Sequence, residues 1–466
     1  MPQAQPLFLS AFTMSAVSHL NYGLWRHPDD RSWRHTELEH WTSLAATLED
    51  GGFDTLFIAD ALGLLDTYAG NAAASLRTGT QSPLDDPLLA VSAMAACTRH
   101  LGFGVTVSTT YEHPYLLARK FTTLDHLSQG RIGWNIVTSQ LDSAARNLGL
   151  AQQLDHDERY DRADEFMEVV YKLWEWSWTD DAVVRDRVRG IYTDPSKVRP
   201  IAHHGRWYRV PDAHLSEPSP QRTPLLLQAG GSPRGQAFAA RHAELVFVAG
   251  AHAEGIRRGV EATRALAVQA GRDPRAIRFI APVTVVTGAD DREAEAKLAD
   301  YRRHYDALGA VVHYAASTGI DFSTQDLDAP LVHRDTNANR SLLAHFTQDS
   351  TRDRPWTLRE ALDRPQGFGR HKTIVGGPAR VADELQAWLR ETGTDGINLA
   401  AIVNPGSFED FAHFAVPELR RRGLVAERPA EPTTLRERVF GQPRLRADHP
   451  AHAIAARAGS ASEVSA

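Results

Sequence analysis

Residues 113–139 read HPYLLARKFTTLDHLSQGRIGWNIVTS, a helix, a stop and a strand in one unbroken run. Pro114 suits the first turn of a helix, where a missing N–H costs nothing. The helix runs over Pro114–Leu127, Ser128-Gln129-Gly130 closes it, and Ile132–Val137 follows as a buried strand. The same alternation extends to both sides. Leu7–Met14, Phe53–Ala59 and Leu101–Ser108 read as strands before it, and Pro224–Gln228, Leu245–Ala249, Phe279–Thr287 and Gly396–Val403 after it. Helical spacing of Leu38, Trp41, Leu44, Ala45 and Leu48 fills one interval and Gly51-Gly52 ends it. Further helices are expected at Pro87–Thr98, Asp157–Trp174, from Pro233, at Val381–Glu391 and at Phe408–Arg422.

Eight strands alternating with helices imply a parallel sheet with helices outside, and closure is the economical form at that count. The expected fold is an α/β TIM (β/α)8 barrel with long insertions. Residues 1–427 form the single barrel domain. Irregular, polar insertions lie near 177–222 and 310–356, and 428–466 is a tail that is partly disordered, at Gly459–Ala466.

Composition narrows the function. The chain of 466 residues carries 51 Lys and Arg against 58 Asp and Glu, a formal charge of -7, which argues against a general nucleic-acid binder. One cysteine, Cys97, excludes an intrachain disulfide and a multi-cysteine zinc site, and suits a reducing cytoplasm. Its place on the stripe Leu88, Val91, Met94, Ala95 predicts a buried thiol. Neither a signal peptide nor a membrane span is expected from the apolar runs present.

In such a barrel the strand C-termini face the active site. There the sequence places hydroxyls, amides and aromatic rings: Phe12 with His19 beyond it, Phe57 and Asp60, Thr106 and Ser108, Asn135, Thr138 and Ser139, and Phe247. No ligand spacing for a metal is visible, and His203-His204 falls in a polar loop as a solvated pair. A pocket poor in acid–base pairs suits a cofactor that brings its own reactivity. The run Gln228–Gly235 (QAGGSPRG) follows a strand and opens a helix. Its Gly230-Gly231 pair and Ser232 read either as a phosphate cradle or as a plain serine-capped turn. His156 and Tyr160 share a helix face, and read as donors to a phosphate or ribityl chain, or as a packed helix start.

The 113–139 run, with its Trp-Asn-Ile-Val-Thr-Ser end, together with Asn147-Leu148-Gly149, His156–Glu165, Gln228–Gly235 and Gly376–Leu385, resembles the bacterial-luciferase-like FMN-dependent monooxygenases. The branch it resembles is that of the nitrilotriacetate, EDTA and dibenzothiophene-sulfone monooxygenases. The resemblance spans about Leu7–Gly423. It implies FMN bound as FMNH2, an NAD(P)H:FMN reductase that supplies it, O2 as co-substrate, and a homodimer or homotetramer. The expected activity is oxygenation of a small organic substrate with cleavage of a C–S or C–N bond, the substrate being an organosulfur compound or a polyaminocarboxylate. Carried over by motif, Asp60, Thr106, His156, Tyr160 and Ser232 are cofactor residues, with Asn135 and Thr138 beside the flavin. Thr106 marks a position where a non-proline cis peptide is common in that superfamily. Phe12, His19, Phe57, Phe247 and Ser317 are expected to line the substrate pocket, with Trp134 helping to exclude water. Sulfone-cleaving members have a histidine before a Thr-Gly pair, where this chain reads Ser317-Thr318-Gly319. Candidate catalytic residues are therefore His19, Asn135, Thr138 and His313. Two other readings stay open, a deazaflavin-dependent hydride-transfer enzyme and a non-catalytic flavin-binding barrel.

Overall fold

The computed structural model describes residues 6–250, 252–332, 354–362 and 371–463. Residues 333–353 of the second insertion and 464–466 of the tail lie outside them. The eight expected strands are present as β1 (Phe8–Met14), β2 (Thr55–Ala59), β3 (Gly102–Ser108), β4 (Ile132–Val137), β5 (Leu225–Gln228), β6 (Leu245–Phe247), β7 (Arg278–Thr287) and β8 (Gly396–Ala400). Every neighbouring pair is parallel, β8 returns to β1, and β6 pairs with β7, so the sheet closes into a TIM barrel. A further strand, Lys372–Gly376, adds outside the ring on the long β7, which outruns its barrel partners. The sequence reading has no strand there.

Two layers of apolar packing hold the ring. Outward residues such as Leu56, Ile58, Val105, Trp134 and Ile136 meet helices including Leu38–Asp50 and Pro114–Leu127 in the main core. Inward residues Phe8, Phe57, Leu225, Leu227, Leu245, Phe247 and Ile280 fill the barrel itself. Room for them comes from bare backbone: a Cβ on Gly133 would lie 2.6 Å from Leu227 Cδ1, and one on Gly396 would lie 2.2 Å from Phe8 O.

The tail is part of this core. Leu435 and Val439, on the short helix Leu435–Phe440, enter the barrel's lower end beside Phe8 and Leu225. Leu435 N–H donates to Gly130 O at 2.8 Å, and a Cβ on Gly102 would strike Leu435 Cδ1 at 2.6 Å. Arg436 is fully buried there. Its Nε and Nη2 reach Glu244 Oε1 and Oε2 at 2.7 and 2.9 Å, and Nη2 donates to the Thr223 and Pro224 carbonyls at 2.9 Å. Glu244 in turn accepts Leu226 N–H of β5 at 3.0 Å. The tail then runs into a helix, Pro450–Glu463. Ile454 and Ala455 on this helix are buried, and the helix extends to Glu463, past Gly459 where the expected disorder begins.

Other local expectations also change. Residues 310–318 are not irregular but belong to a buried helix, Ala307–Thr318, capped by Asp306 and ended by Gly319 in the left-handed region. Cys97 is exposed, because the helix carrying its stripe stops at Ala96. His203 is buried rather than solvated: the first insertion folds into two small hairpins, and His203 meets Glu165 Oε1 at 3.3 Å.

Removing one partner of a buried, hydrogen-bonded ion pair strands the other charge, at a cost of about 3–5 kcal/mol. Glu244→Ala should destabilise the protein on that scale in equilibrium urea unfolding, and a loss under about 1 kcal/mol would show that the tail does not anchor the barrel.

Candidate active site

At the opposite rim, the strand C-termini surround a cavity of about 290 Å³. Met14 comes from the end of β1, Ala59 and Asp60 from β2, Ile136–Ser139 from β4, and Gln228–Ser232 from β5. Ser139 turns the chain over the cavity with a φ of 54°, and its Oγ bonds Ser108 Oγ at 2.8 Å. The roof comes from the segment after β2 (Leu62, Leu65), the segment after β4 (Leu141, Ala144) and the helix Ala307–Thr318 (His313, Ala316, Ser317). These pieces clasp one another. Ser143 Oγ donates to Leu64 O at 2.7 Å, Arg146 pairs with Asp66, and a Cβ on Gly63 would strike Ala144 N at 2.6 Å.

One end of the cavity gathers polar side chains around a helix start. Ser232 caps the helix Pro233–His242, its Oγ accepting Gly235 N–H at 3.1 Å and lying 3.2 Å from His156 Nε2. The Tyr160 hydroxyl is hydrogen-bonded to Ser232 and Thr138. A Cβ on Gly230 would lie 2.9 Å from that hydroxyl and 2.1 Å from Gln228 Nε2, so any side chain there would fill the cradle. Gln228 also has a buried Oε1 with no partner. Arg234 does not enter the cavity. Its guanidinium sits 5.4 Å over the Tyr160 ring and bonds Asp164 Oδ2 at 2.6 Å and Asp161 Oδ1 at 3.0 Å. Burial opposes the Asp164 carboxylate, but hydrogen bonds and charge from His242 and Arg234 outweigh it and bring its pKa down to about 2. A fixed anion thus holds Arg234, which holds Tyr160.

The other end is neutral. Leu65, Val312 and Ala316 form a small apolar cluster with Leu141 against it. Beside them stand His19, Gln81, His313 and Ser317. His313 Nδ1 lies 2.7 Å from the Tyr22 hydroxyl, and Gln81 Nε2 lies 3.2 Å from His313 Nε2. With Gln81 donating its amide N–H, the ring proton sits on Nδ1 and is donated to Tyr22. His313 and Ser317 are one turn apart on the helix Ala307–Thr318.

Not every expected residue reaches the cavity. Asp60, Thr138, His156, Tyr160, Ser232, His19, His313 and Ser317 line it. Thr106 and Asn135 lie beneath it, tied into the barrel: Asn135 Nδ2 donates to Thr106 Oγ1 at 2.8 Å, which donates to Ile58 O at 3.0 Å. The cis peptides among the described residues are Ser82–Pro83 and Asn404–Pro405, so the bonds around Thr106 are trans. Phe57 and Phe247 are not among the residues that line this cavity. They stack at 4.2 Å in the barrel interior, and Phe12 stacks on Phe57 at 5.0 Å. Phe12 instead supports His19, edge-on at 4.4 Å, and borders a small side cavity. Trp134 faces outward and packs with Phe121, Phe166 and Trp174. Residue parity decides this: alternate strand residues face opposite sides, and a large ring at an inward position fills the barrel before it reaches the rim. The sequence reading missed Leu65, Gln81, Leu141, Ala144, Arg159 and Ala316. Gln228 and Arg159 lay inside quoted motifs, whereas Gln81 and Ala316 carried no local signal.

The family model described as luciferase-like monooxygenase matches residues 21–396. The chain is similar to the dimethyl-sulfide monooxygenase of Hyphomicrobium sulfonivorans, 48% identical over 447 residues that cover 96% of this chain and 93% of that protein. It is also similar to the long-chain alkane monooxygenase of Geobacillus thermodenitrificans, 45% identical over 453 residues and 97% of each. A crystal structure of a riboflavin lyase with modified FMN and riboflavin aligns with a TM-score of 0.89 at 37% identity, over 97% of this chain and 99% of that one.

Asp60 is the acid of the cavity. Burial pushes its pKa up to about 7, only partly offset by the Ala61 N–H, with Asp86 adding repulsion. A raised carboxyl pKa means the folded protein binds a proton that the unfolded chain has already lost. Its contribution therefore weakens as pH rises from about 4 to about 7. Asp60→Asn should gain stability relative to the parent across that window, by roughly 1–2 kcal/mol after discounting residual solvent contact. Thermal unfolding at pH 5 and pH 8 measures it; an equal difference at both would remove Asp60 as a neutral-range proton carrier.

Proposed function

The chain belongs to the luciferase-like monooxygenases and is an enzyme, and from that premise we propose that it uses reduced FMN and O2 to oxygenate a small neutral substrate, the FMNH2 being supplied by a separate NAD(P)H-dependent reductase. The observation that carries this reading is a single cavity with a phosphate cradle at one end and a neutral apolar wall at the other. The Gly230–Ser232 turn, His156 and Tyr160 would hold the phosphate, with the helix N-terminus of Pro233–His242 adding its partial positive charge. Gln228, with its unpartnered buried oxygen, is placed to accept from the cofactor. The bound cofactor supplies the electrons that activate O2.

The chain's own residues do the rest. The Arg234–Asp164 pair fixes Tyr160, so the cradle is set before the ligand arrives. The clasped segments over the cavity keep water out. Asp60 holds or gives up a proton near neutral pH, and His313, fixed by Tyr22 and Gln81, presents one defined tautomer to the substrate end. Among the described residues lining the cavity, Arg159 is the sole Lys or Arg, and it neighbours His156 and Tyr160 on the cradle's helix. A polyaminocarboxylate would bring several carboxylates to a wall with no matching cations, which burial penalises heavily. The substrate class is therefore a compact neutral molecule, and an organosulfur compound suits it better than a polyaminocarboxylate. Oxygenation at or beside sulfur followed by C–S cleavage is the reaction we assign.

Oxygen consumption with FMN, NADH, a flavin reductase and either dimethyl sulfide or nitrilotriacetate tests the assignment. Uptake coupled to product should appear with the sulfide and not with nitrilotriacetate; failure to bind FMN in either redox state would sink the flavin reading. Ser232→Ala and Tyr160→Phe should each weaken FMN binding by about 1–2 kcal/mol, the scale of a hydrogen bond to a charged group, as read by equilibrium dialysis. Ala316→Leu should leave FMN binding unchanged while kcat/KM for longer dialkyl sulfides falls ~10-fold more than for dimethyl sulfide, since added bulk acts at the neutral wall alone.

A further inference from the structure

The arm that follows β1 folds back over the helix Asp291–His304. His27, at the end of the short turn Leu24–Arg26, is 5% exposed and turns its ring toward that helix. Asp300 and His304 meet it there, one helical turn apart on the same face. His27 Nε2 is 3.1 Å from Asp300 Oδ2, and the His27 and His304 rings are 5.1 Å apart. One ligand atom from each of the three lies within 4.8 Å of the other two. Asp29 Oδ2 stands 4.0 Å from the remaining ring nitrogen of His27.

We infer that His27, Asp300 and His304 form a binding site for one divalent transition-metal ion of the zinc type, which clips the arm after β1 to the helix that leads into the cavity wall. The site is independent of the proposed oxygenase reading. Two imidazoles and one carboxylate are a donor set for Zn2+ and its neighbours, not for Mg2+ or Ca2+, which take oxygen ligands. Three protein ligands leave room for water at the fourth position. The backbone fixes the third ligand. Gly23, with a φ of 81°, lets the arm approach so closely that a Cβ there would lie 2.4 Å from His304 O, and Arg26 Nη2 donates to that same carbonyl at 2.6 Å.

Binding asks for small changes. Metal bonds of about 2.0–2.2 Å require the three ligand atoms to close in by roughly 1 Å, and half-exposed Asp300 and His304 are free to turn on their helix. Asp300 gives up an exposed ion pair with Arg303, which is worth little in water. The His27 ring proton relocates. Asp29 N–H now donates to Nδ1 at 3.2 Å, which puts the proton on Nε2 toward Asp300. With metal on Nε2, the proton moves to Nδ1 and the Asp29 carboxylate accepts it, the carboxylate–histidine–metal arrangement that orients such ligands.

The position has a consequence for the cavity. His304 ends its helix two residues before Asp306, whose N–H donates to Tyr22 O at 3.0 Å and whose carboxylate caps the helix Ala307–Thr318. Tyr22 is the residue that fixes His313. An ion at His27–Asp300–His304 would therefore tie together the two chain segments that position His313, the arm with Tyr22 and the helix Ala307–Thr318.

Cobalt titration of tag-free, chelator-treated protein tests the site, because Co2+ bound by nitrogen ligands has a visible absorbance that Zn2+ does not. The expected result is a band saturating at one equivalent and displaced by Zn2+, weakened at least 10-fold by Asp300→Asn and lost in His304→Ala. In parallel, Zn2+ should raise the melting temperature of the parent protein and not that of His304→Ala. His304 is half-exposed, so this variant keeps the fold, and its unliganded melting temperature checks that directly. A parent protein with no saturable band, or a band retained in full by His304→Ala, would overturn the assignment.

Discussion

The arrangement rests on closure of a parallel sheet. A strand's N–H and C=O groups have no partner within the strand, so each must be met by the strand beside it. A three-residue strand such as Leu245–Phe247 survives because β5 and β7 both hold it, and the ring leaves no edge in need of protection. Closure also sorts the residues. Successive side chains face the helices or the barrel interior, and all eight C-termini arrive at one rim. Bare backbone makes room in the interior, as at Gly104, where a Cβ would lie 3.0 Å from Leu227 Cδ2.

The two rims are then used differently. At the lower rim the tail supplies Leu435 and Val439 as a plug and Arg436 as a bridge between the Glu244 carboxylate and the chain leading into β5. A buried guanidinium is tolerated because each of its nitrogens finds an acceptor. At the upper rim polar groups line the cavity, and they divide by origin. The cradle is assembled from two short runs at helix starts, 156–160 and 228–235. The neutral wall is assembled from segments with no sequence relationship: residues 62–65, 81, 141–144 and 313–317. The division fits a chemistry in which one half of the ligand set is constant and the other is adapted to a substrate.

The sequence by itself determined the order of elements and the barrel, and it marked the helix starts at His156 and Ser232. Strand and helix periods are local, Ser232 and Pro233 mark a helix start by their own chemistry, and His156 and Tyr160 share a face by spacing alone. Only the tertiary structure decided which rings reach the cavity. Phe57 and Phe247 carry the same apolar signal as a pocket wall, yet they stack on each other inside the barrel at 4.2 Å. Cys97 shows the same limit, since its stripe ends one residue earlier than the pattern suggests. The tail's role was equally hidden, because an arginine reads as a surface residue until Glu244, 192 positions away, is seen beside it. His27 meets Asp300 across 273 positions, and Gln81 meets His313 across 232. Short-range patterns record how a chain folds locally. Contacts between distant segments depend on the closure of the whole ring, and it is there that the neutral end of the cavity, the plugged rim and the histidine–carboxylate cluster were settled.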